Sequence, residues 1–241
     1  MSERILREQL AAWDRKPCLR RLYGGWFEAM GREMPPGPAL EVGAGIGKFK
    51  EFAPGVLTLD IEKTPWTDMV GDAQCLPVRD ASLSSLVMFD VLHHLPRPVL
   101  FFREALRVLR PGGRVIIMDP YISPASYPVY RWLHPENADL DCDPLGEGGV
   151  CSDRPFDSNQ AVATVLFFRK PERFSQEFPE FSVIRRQRLA LLSYPLTGGF
   201  GGRALLPDAA IRWLARVESR VPLLAPLLAF RTFVVLEKHD R

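Results

Sequence analysis

The segment 41–47, EVGAGIG, carries the most specific chemical signal in the sequence. Its three glycines follow a short apolar run and precede a predicted helix, so the backbone can turn tightly there, approach a ligand closely and present free N–H groups. A phosphate-binding P-loop requires Gly-x-x-x-x-Gly-Lys-Ser/Thr, but Phe49 follows Lys48 and Val42 occupies the first glycine position. A dinucleotide fingerprint is not matched either, because Lys48 occupies its third glycine position. The segment therefore indicates a ligand other than a nucleoside triphosphate or a dinucleotide.

Several apolar runs predict the strands that must hold this segment. Their ranges, taken as strands one, two, four and five, are 39–43, 55–60, 84–90 and 113–119. Helices are predicted between some of them at 46–53 and 97–109, and strands that alternate with helices favour a parallel sheet. Ligands of such sheets bind at the carboxyl ends of the strands. Asp60 and Asp90, which end two of the runs, are therefore expected at the ligand-binding edge.

Composition and the remaining periodicity predict a compact globular protein. The chain has 241 residues, 46% of them apolar, and a formal net charge of +2, which excludes a disordered chain and gives no reason to expect a nucleic-acid partner. A helical segment over 2–33 is interrupted at Pro17. Further predicted elements are helices at 159–169 and 207–220 and strands at 181–194 and 231–238.

The sequence also predicts a cytoplasmic protein. Its four cysteines are few and scattered, as in reducing compartments, and the charged N-terminus lacks the apolar stretch of a secretory signal. The most apolar stretch, 221–230, contains two prolines and is shorter than the ~20 residues that span a bilayer. No transmembrane helix is expected, while contact with a membrane surface stays open.

In motif order, the chain resembles the class I S-adenosylmethionine-dependent methyltransferases, within the small-molecule group of the methyltransferase type 11 kind. The family motif Glu/Asp-x-Gly-x-Gly-x-Gly is matched at all of its fixed positions, which are Glu41, Gly43, Gly45 and Gly47. Further matches follow at Asp60, at Gly71-Asp72-Ala73 and in the stretch 82–119. The resemblance covers roughly residues 39–119.

This resemblance implies an α/β fold built on the Rossmann-like sheet of class I methyltransferases. The sheet is expected to be mostly parallel with an antiparallel last strand, covered by N-terminal helices and followed after strand five by an insertion or lid. We expect a single methyltransferase domain over 1–241. Its parts are a helical cover, a cofactor-binding half, an insertion that caps the acceptor, and C-terminal strands and helices, at 1–34, 35–120, 121–180 and 181–241.

The resemblance also implies S-adenosylmethionine as the cofactor. Asp60 matches the acid that accepts hydrogen bonds from the ribose hydroxyl groups, with Glu62 as an alternative because only 12 residues separate Gly47 from Asp60. Asp72 resembles the acid that accepts the adenine amino hydrogen, and the Ala73 N–H lies in position to donate to the ring. The full set of predicted cofactor-binding residues is Glu41, Gly43, Ala44, Gly45, Gly47, Asp60, Ile61, Asp72, Ala73, Phe89 and Asp90.

Asp90, His93 and His94 follow strand four and are the predicted catalytic residues, because residues i, i+3 and i+4 share one face of a helical turn. His94 is the predicted general base, since an imidazole titrates near neutral pH. The alternative is that the two histidines only pack against the cofactor. In quinone O-methyltransferases, a triplet of two acids and a histidine at this spacing looks like a divalent-metal site. Here His93 replaces the middle acid, which would suit a transition metal, but plain hydrogen bonding is the preferred interpretation and no metal site is predicted.

The insertion 121–180 is expected to build the acceptor pocket, since the core sheet binds the cofactor. Its predicted substrate-binding residues are Tyr121, Tyr127, Tyr130, Asn159 and Gln160. Seven acids against one arginine in 135–157 predict a solvated loop there. Asp119-Pro120-Tyr121 is similar to a motif of amino-methylating nucleic-acid enzymes, but it follows strand five rather than strand four, so nucleic-acid methylation is not favoured.

These residues predict methyl transfer from S-adenosylmethionine to a small-molecule or lipid-linked acceptor. The main alternative is a catalytically silent protein that binds S-adenosylmethionine and acts as a sensor or partner. A nucleic-acid methyltransferase is a weaker alternative. The cofactor motifs of this chain are intact, which favours the enzyme, because a silent protein is expected to lose them.

Overall fold

In a computed structural model that describes residues 2–146, 148–150 and 157–239, the six predicted strands and one additional short strand form a seven-stranded sheet. The strands are β1 Ala39–Val42, β2 Leu57–Asp60, β3 Met69–Val70, β4 Leu83–Phe89, β5 Leu109–Pro120, β6 Phe181–Leu189 and β7 Arg231–Lys238. Their order across the sheet is β3-β2-β1-β4-β5-β7-β6. β7 runs antiparallel to both of its neighbours, and the other adjacent pairs are parallel. The predicted fold class is confirmed.

The centre of the sheet is buried on both faces. β1 is buried along its whole length, and successive side chains of a strand point to opposite faces. Leu40 and Val42 therefore belong to one hydrophobic core and Ala39 to the other. Such runs of apolar residues, with polar ones rare, are typical of parallel strands covered by helices on both sides.

Two N-terminal helices, α1 Ser2–Arg15 and α2 Pro17–Arg32, cover one face of the sheet. Pro17 begins α2, where its missing N–H costs no intrahelical hydrogen bond. Tyr23 and Phe27 of α2 are buried in the core on this face. The opposite face is covered by α3 Pro98–Val108. The predicted helical cover and its break at Pro17 are confirmed.

Six further helices lie in the remaining described part of the chain. They are α4 Ser126–Pro128, α5 Val162–Thr164, α6 Pro171–Glu177, α7 Ser193–Leu196, α8 Asp208–Glu218 and α9 Ala225–Leu228. π-helical turns extend α4 and α5 over Val129–Leu133 and Val165–Arg169, and 3-10 turns lie at Phe49–Glu51, Leu92–His94 and Pro222–Leu224. Within the described ranges, no helix is both long and apolar enough to cross a membrane.

Some predicted elements are wrong in extent. The helix predicted over 46–53 is reduced to the 3-10 turn, because Gly47 has a φ of 66° and the residue before Pro54 disfavours helix. The strand predicted to continue to 194 ends at Leu189, since Ala190 adopts a φ of 59° and α7 follows. The short edge strand β3 was not predicted.

The carboxyl ends of β1, β2 and β4 meet the amino end of β7 at one edge of the sheet, because β7 is antiparallel. The insertion is fastened to this edge. The Asn159 N–H donates to the His93 carbonyl oxygen at 2.9 Å, and the Tyr130 hydroxyl donates to the Phe230 carbonyl oxygen at 2.9 Å. The predicted site residues therefore lie between the sheet edge and the insertion.

Candidate functional site

The glycine turn after β1 has a backbone that side chains would distort. Gly43, Gly45 and Gly47 have φ values of 73°, 51° and 66°, a region that favours glycine. A Cβ on Gly43 would lie 2.3 Å from Val91, and one on Gly47 would lie 2.5 Å from Trp66. A Cβ on Gly45 would meet no described atom within 4 Å. Packing therefore requires two of the glycines, while Gly45 faces open space in which a ligand can approach the backbone.

The Asp60 side chain, at the end of β2, connects the glycine turn to the turn that follows β2. Its Oδ2 accepts the Gly45 N–H at 3.0 Å, and its Oδ1 accepts the Glu62 N–H at 3.1 Å. The carboxylate thus lies against the glycine turn, and Glu62 contributes a backbone N–H to it. This placement favours Asp60 over Glu62 as the acid beside the ligand. Ile61, also predicted to touch the cofactor, exposes 61% of its surface.

Glu41 is an acid buried in the middle of the sheet. It lies in β1, is 4% exposed, and its Oε2 has no hydrogen-bond partner in the described part of the chain. Burial, reinforced by the charge of Asp60, raises the pKa of Glu41 to about 8. An unpartnered buried acceptor costs free energy. A ligand that offers a donor or a positive charge at this position would remove that cost.

Asp72 and Ala73 follow β3. The Gly71 N–H donates to the Asp60 carbonyl oxygen at 3.0 Å, which brings this turn beside the end of β2. The Asp72 Oδ1 accepts the Gln74 N–H at 2.8 Å within the turn, and Ala73 is buried. The structure therefore gathers Asp60 and the Asp72 turn at the same edge, as the cofactor prediction requires.

Phe89 and Asp90 end β4 on the other side of the glycine turn. The Phe89 ring packs against Phe27 and Tyr23, with ring centroids 4.9 and 5.0 Å apart. Asp90 has a φ of 57°, and its Oδ1 lies 2.5 Å from Nη2 of Arg231. Asp90 was predicted to bind the cofactor and to take part in catalysis, and its strained backbone is held by this ion pair.

Arg231 is a residue that the sequence analysis missed. It is only 2% exposed, and its guanidinium lies over the rings of Phe89, Tyr194 and Trp26 at 5.2, 5.3 and 5.6 Å. Its Nε and Nη2 make no aligned hydrogen bond within the described ranges, so the close approach to Asp90 is an ion pair. The available signal was a single arginine inside the apolar run that leads into β7.

His93 is oriented by a buried acid. It is 3% exposed, and its Nδ1 lies 2.9 Å from Oδ1 of Asp119, which is fully buried. Burial alone favours the neutral ring, but the charges of Asp119, Glu136 and Asp90 outweigh it and raise the pKa of His93. Asp119 entered the sequence analysis only in a motif that was set aside. The parallel pairing of Phe89 with Met118 places Asp119 beside Asp90 and could have revealed it.

His94 lies next to His93, with ring centroids 4.2 Å apart. Its Nδ1 is 3.4 Å from the Asp157 carbonyl oxygen and its Nε2 is 3.9 Å from Oε1 of Glu136. Burial, together with the neighbouring His93, lowers the pKa of His94 to about 4. The ring is therefore neutral at pH 7, but an imidazole with so low a pKa is a weak base. This weakens the prediction that His94 acts alone as the general base.

Glu136 and His134 bring the insertion to the same place. Oε2 of Glu136 lies 3.6 Å from Nε2 of His93 and 3.7 Å from Nδ1 of His134. The side-chain amide of Gln160, a residue predicted to bind the methyl acceptor, donates a hydrogen bond to Glu136. The sequence analysis treated 135–157 as a solvated loop, and within it Glu147 and 151–156 lie outside the described residues. Glu136 contradicts that interpretation at its own position, since it is held in the site.

The other predicted acceptor residues stabilise the insertion. The Asn159 side chain accepts the Asp139 N–H at 2.9 Å and donates to the Asp139 carbonyl oxygen at 3.1 Å. Tyr121 packs on Phe168, with ring centroids 4.9 Å apart. Tyr127 and Tyr130 belong to one hydrophobic cluster of the insertion. Of the predicted set, only Gln160 contacts Glu136 through its side chain in the described part of the chain.

Comparison with known proteins relates part of this chain to methyltransferases. Residues 40–117 match the family model described as a methyltransferase domain. The chain is 29% identical over 87 residues to a demethylmenaquinone methyltransferase of Streptomyces griseus, covering 36% of this chain and 37% of that protein. It is 43% identical over 54 residues to the 27-O-demethylrifamycin SV methyltransferase of Amycolatopsis mediterranei, covering 22% of this chain and 20% of that protein.

A solved S-adenosylmethionine-dependent methyltransferase of Archaeoglobus fulgidus has the same fold. The TM-score is 0.56, with 91% of this chain and 94% of that chain covered at 13% identity. The chain thus has the fold of a class I methyltransferase, and residues 40–117 are similar to the methyltransferase domain family. The cofactor of class I methyltransferases is S-adenosylmethionine, as the resemblance over residues 39–119 implied. The chain spans about half or less of the length of the curated relatives it matches.

Proposed function

We propose that this methyltransferase transfers a methyl group from S-adenosylmethionine to a small-molecule acceptor, either free or linked to a lipid. The main observation in support of cofactor binding is the open space in front of Gly45. The Asp60 carboxylate lies beside this space and accepts the Gly45 N–H. Two relatives whose names specify small-molecule acceptors, a demethylmenaquinone and a demethylrifamycin methyltransferase, support this acceptor class.

The residues around the glycine turn, which form the glycine side of the site, fit the cofactor. When bound, S-adenosylmethionine supplies an electrophilic methyl group on a positively charged sulfur. We propose that Asp60 accepts hydrogen bonds from ribose hydroxyl groups, and that Asp72 and the Ala73 N–H hold the edge of the adenine. Gly45 lets the backbone approach the ligand because it has no side chain in the open space. Glu41 offers a buried acceptor that lacks a described partner.

The acceptor's reacting atom is proposed to lie beside Asp90, His93 and His94 at the end of β4. Methyl transfer is an in-line displacement, so these residues contribute mainly by positioning the acceptor and by taking part in removal of its proton. Asp119 fixes the orientation of His93, and the Asn159 N–H fixes the backbone of the same residue. The insertion thereby closes the acceptor side of the site.

The proposal is tested with S-adenosylmethionine carrying a labelled methyl group, incubated with the full chain and separated extracts of small molecules, lipids and nucleic acids. Label is expected in a small-molecule or lipid product, and the Asp60→Ala protein is expected to form much less of it. Label found only in nucleic acid would contradict the acceptor class. Cofactor binding by calorimetry without label in any extract would instead indicate the silent binding protein.

A further inference from the structure

Three of the four histidines in the chain converge on one carboxylate. The Glu136 oxygens lie 3.6 Å from Nε2 of His93, 3.9 Å from Nε2 of His94 and 3.7 Å from Nδ1 of His134. The ligand atoms of His93, His94 and Glu136 all lie within 4.8 Å of one another. His134 is not part of this group of ligand atoms, and its Nδ1 accepts the Glu136 N–H at 3.4 Å.

The contacts behind the two adjacent histidines determine which ring nitrogen faces Glu136. Nδ1 of His93 lies 2.9 Å from the Asp119 carboxylate, and Nδ1 of His94 lies 3.4 Å from the Asp157 carbonyl oxygen. Both oxygens act as acceptors, so Nδ1 carries the proton in each ring. In the neutral rings the lone pairs are then on the Nε2 atoms, which both face Glu136. A metal-binding histidine usually donates its other ring N–H to a carboxylate or a carbonyl oxygen in this way.

The dimensions of the cluster suit a metal ion. Bonds of about 2.1 Å at tetrahedral angles place ligand atoms about 3.4 Å apart. The observed contacts involve both oxygens of Glu136: Nε2 of His93 lies 3.6 Å from Oε2 and Nε2 of His94 lies 3.9 Å from Oε1, each within about half an ångström of that value. Asp90, the carboxylate that the sequence spacing suggested as a ligand, is paired instead with Arg231. The carboxylate that faces both Nε2 atoms is contributed by the insertion.

We propose that His93, His94 and Glu136 bind a divalent transition-metal ion, with Asp119 orienting His93. Two imidazole nitrogens and one carboxylate favour ions such as zinc, cobalt or nickel over magnesium or calcium, which prefer oxygen ligands. Three protein ligands leave a coordination position for an oxygen or nitrogen of another molecule. That this molecule is the methyl acceptor rests on the proposed function, whereas binding of the ion does not.

The test uses the full chain without a histidine tag, freed of metal by a chelator and then dialysed. Titration with cobalt(II) is expected to give one bound ion per chain with a visible absorption band, and zinc(II) is expected to displace it. His93→Ala and Glu136→Gln should weaken cobalt binding at least a hundredfold. Asp119→Asn should weaken it about 10- to 100-fold, the usual effect of losing a contact behind a ligand. The matched control is His239→Ala, which removes a histidine far from Glu136 in sequence and outside the proposed ligand set, and this variant should bind cobalt normally.

Absence of stoichiometric cobalt binding in the folded wild-type protein would overturn the proposal. Equal cobalt affinity in wild type, His93→Ala and Glu136→Gln would do the same, since the ion would then bind elsewhere. Circular dichroism shows whether each variant is folded, and Glu136→Gln, at a half-buried position, provides a variant that is less disruptive than His93→Ala. Calorimetry with S-adenosylhomocysteine on the same samples separates the two proposals, because it reports on the cofactor site alone.

Discussion

The two sides of the site are built from different interactions. On the glycine side, backbone geometry and the Asp60 carboxylate define the surface, and open space lies in front of Gly45. At the end of β4, paired ionisable side chains define it: half-buried Asp90 lies against buried Arg231, and buried His93 lies against buried Asp119. Substitutions on the first side should therefore change cofactor binding more than folding, and substitutions on the second side should strongly affect folding. Glu41 is the exception, since it is a buried ionisable side chain on the glycine side.

The largest expected effect concerns Glu41 and the pH dependence of stability. Its folded pKa of about 8 lies above the ordinary value of 4.5, through burial and the charge of Asp60, opposed by Lys50. The protonated form is therefore favoured by folding. Its contribution to the free energy of unfolding is fully present below pH 4.5 and is lost as the pH rises through 8, by about 5 kcal/mol at most.

Urea denaturation of the cofactor-free protein at pH 5, 7 and 9 measures this contribution. Glu41→Gln keeps the shape of the side chain but cannot ionise. Its stability relative to wild type should rise across this range, while the titration of other groups cancels in the difference. A difference that stays constant with pH would show that Glu41 ionises in the folded protein as easily as in the unfolded chain.

The second effect concerns the ion pair between Asp90 and Arg231. Asp90→Asn leaves a guanidinium that is 2% exposed without its charged partner and should cost about 3 kcal/mol of stability. Arg231→Met should cost less, because the Asp90 side chain is 31% exposed and can be hydrated. The double variant Asp90→Asn/Arg231→Met should be more stable than Asp90→Asn alone. Equal losses in both single variants that add in the double variant would mean that the pair is not coupled.

The smallest effect concerns cofactor affinity at Gly45. Gly45→Val fills the open space and imposes a side chain on a φ of 51°, so affinity for S-adenosylhomocysteine should fall at least tenfold, about 1.4 kcal/mol. Gly25→Val is a matched control, because a Cβ there also meets nothing within 4 Å but lies on α2 away from the glycine turn. Calorimetry that finds equal affinity in a folded Gly45→Val protein would place the cofactor elsewhere.

The glycine side could largely be predicted because its signals are local. The motif over 41–47 and the acid ending β2 lie within a short stretch, and the turn follows directly from the glycines. The length of the helix predicted over 46–53, directly after β1, could not be predicted from apolar spacing. The left-handed Gly47 and nearby Pro54 leave room only for a 3-10 turn.

The other side could not be predicted because its partners are distant in the chain. Arg231 meets Asp90 only through the antiparallel placement of β7, and Glu136 meets His93 only through packing of the insertion. Periodicity indicates which face of a helix or strand is buried. It does not indicate which distant residue will pair with a charged side chain on that face. The predicted triplet of Asp90, His93 and His94 does lie at the site. Its members contact Arg231, Asp119 and Glu136, respectively, which spacing alone did not indicate.

The central claim is that the cofactor binds at the glycine turn through Asp60, and calorimetry with S-adenosylhomocysteine on Asp60→Ala and Glu62→Ala tests it most directly. Asp60→Ala is expected to lose two hydrogen bonds to a charged group, on the order of 3 kcal/mol or roughly a hundredfold in affinity, while Glu62→Ala should bind almost normally. Weakened binding by Glu62→Ala with unchanged binding by Asp60→Ala would contradict the account.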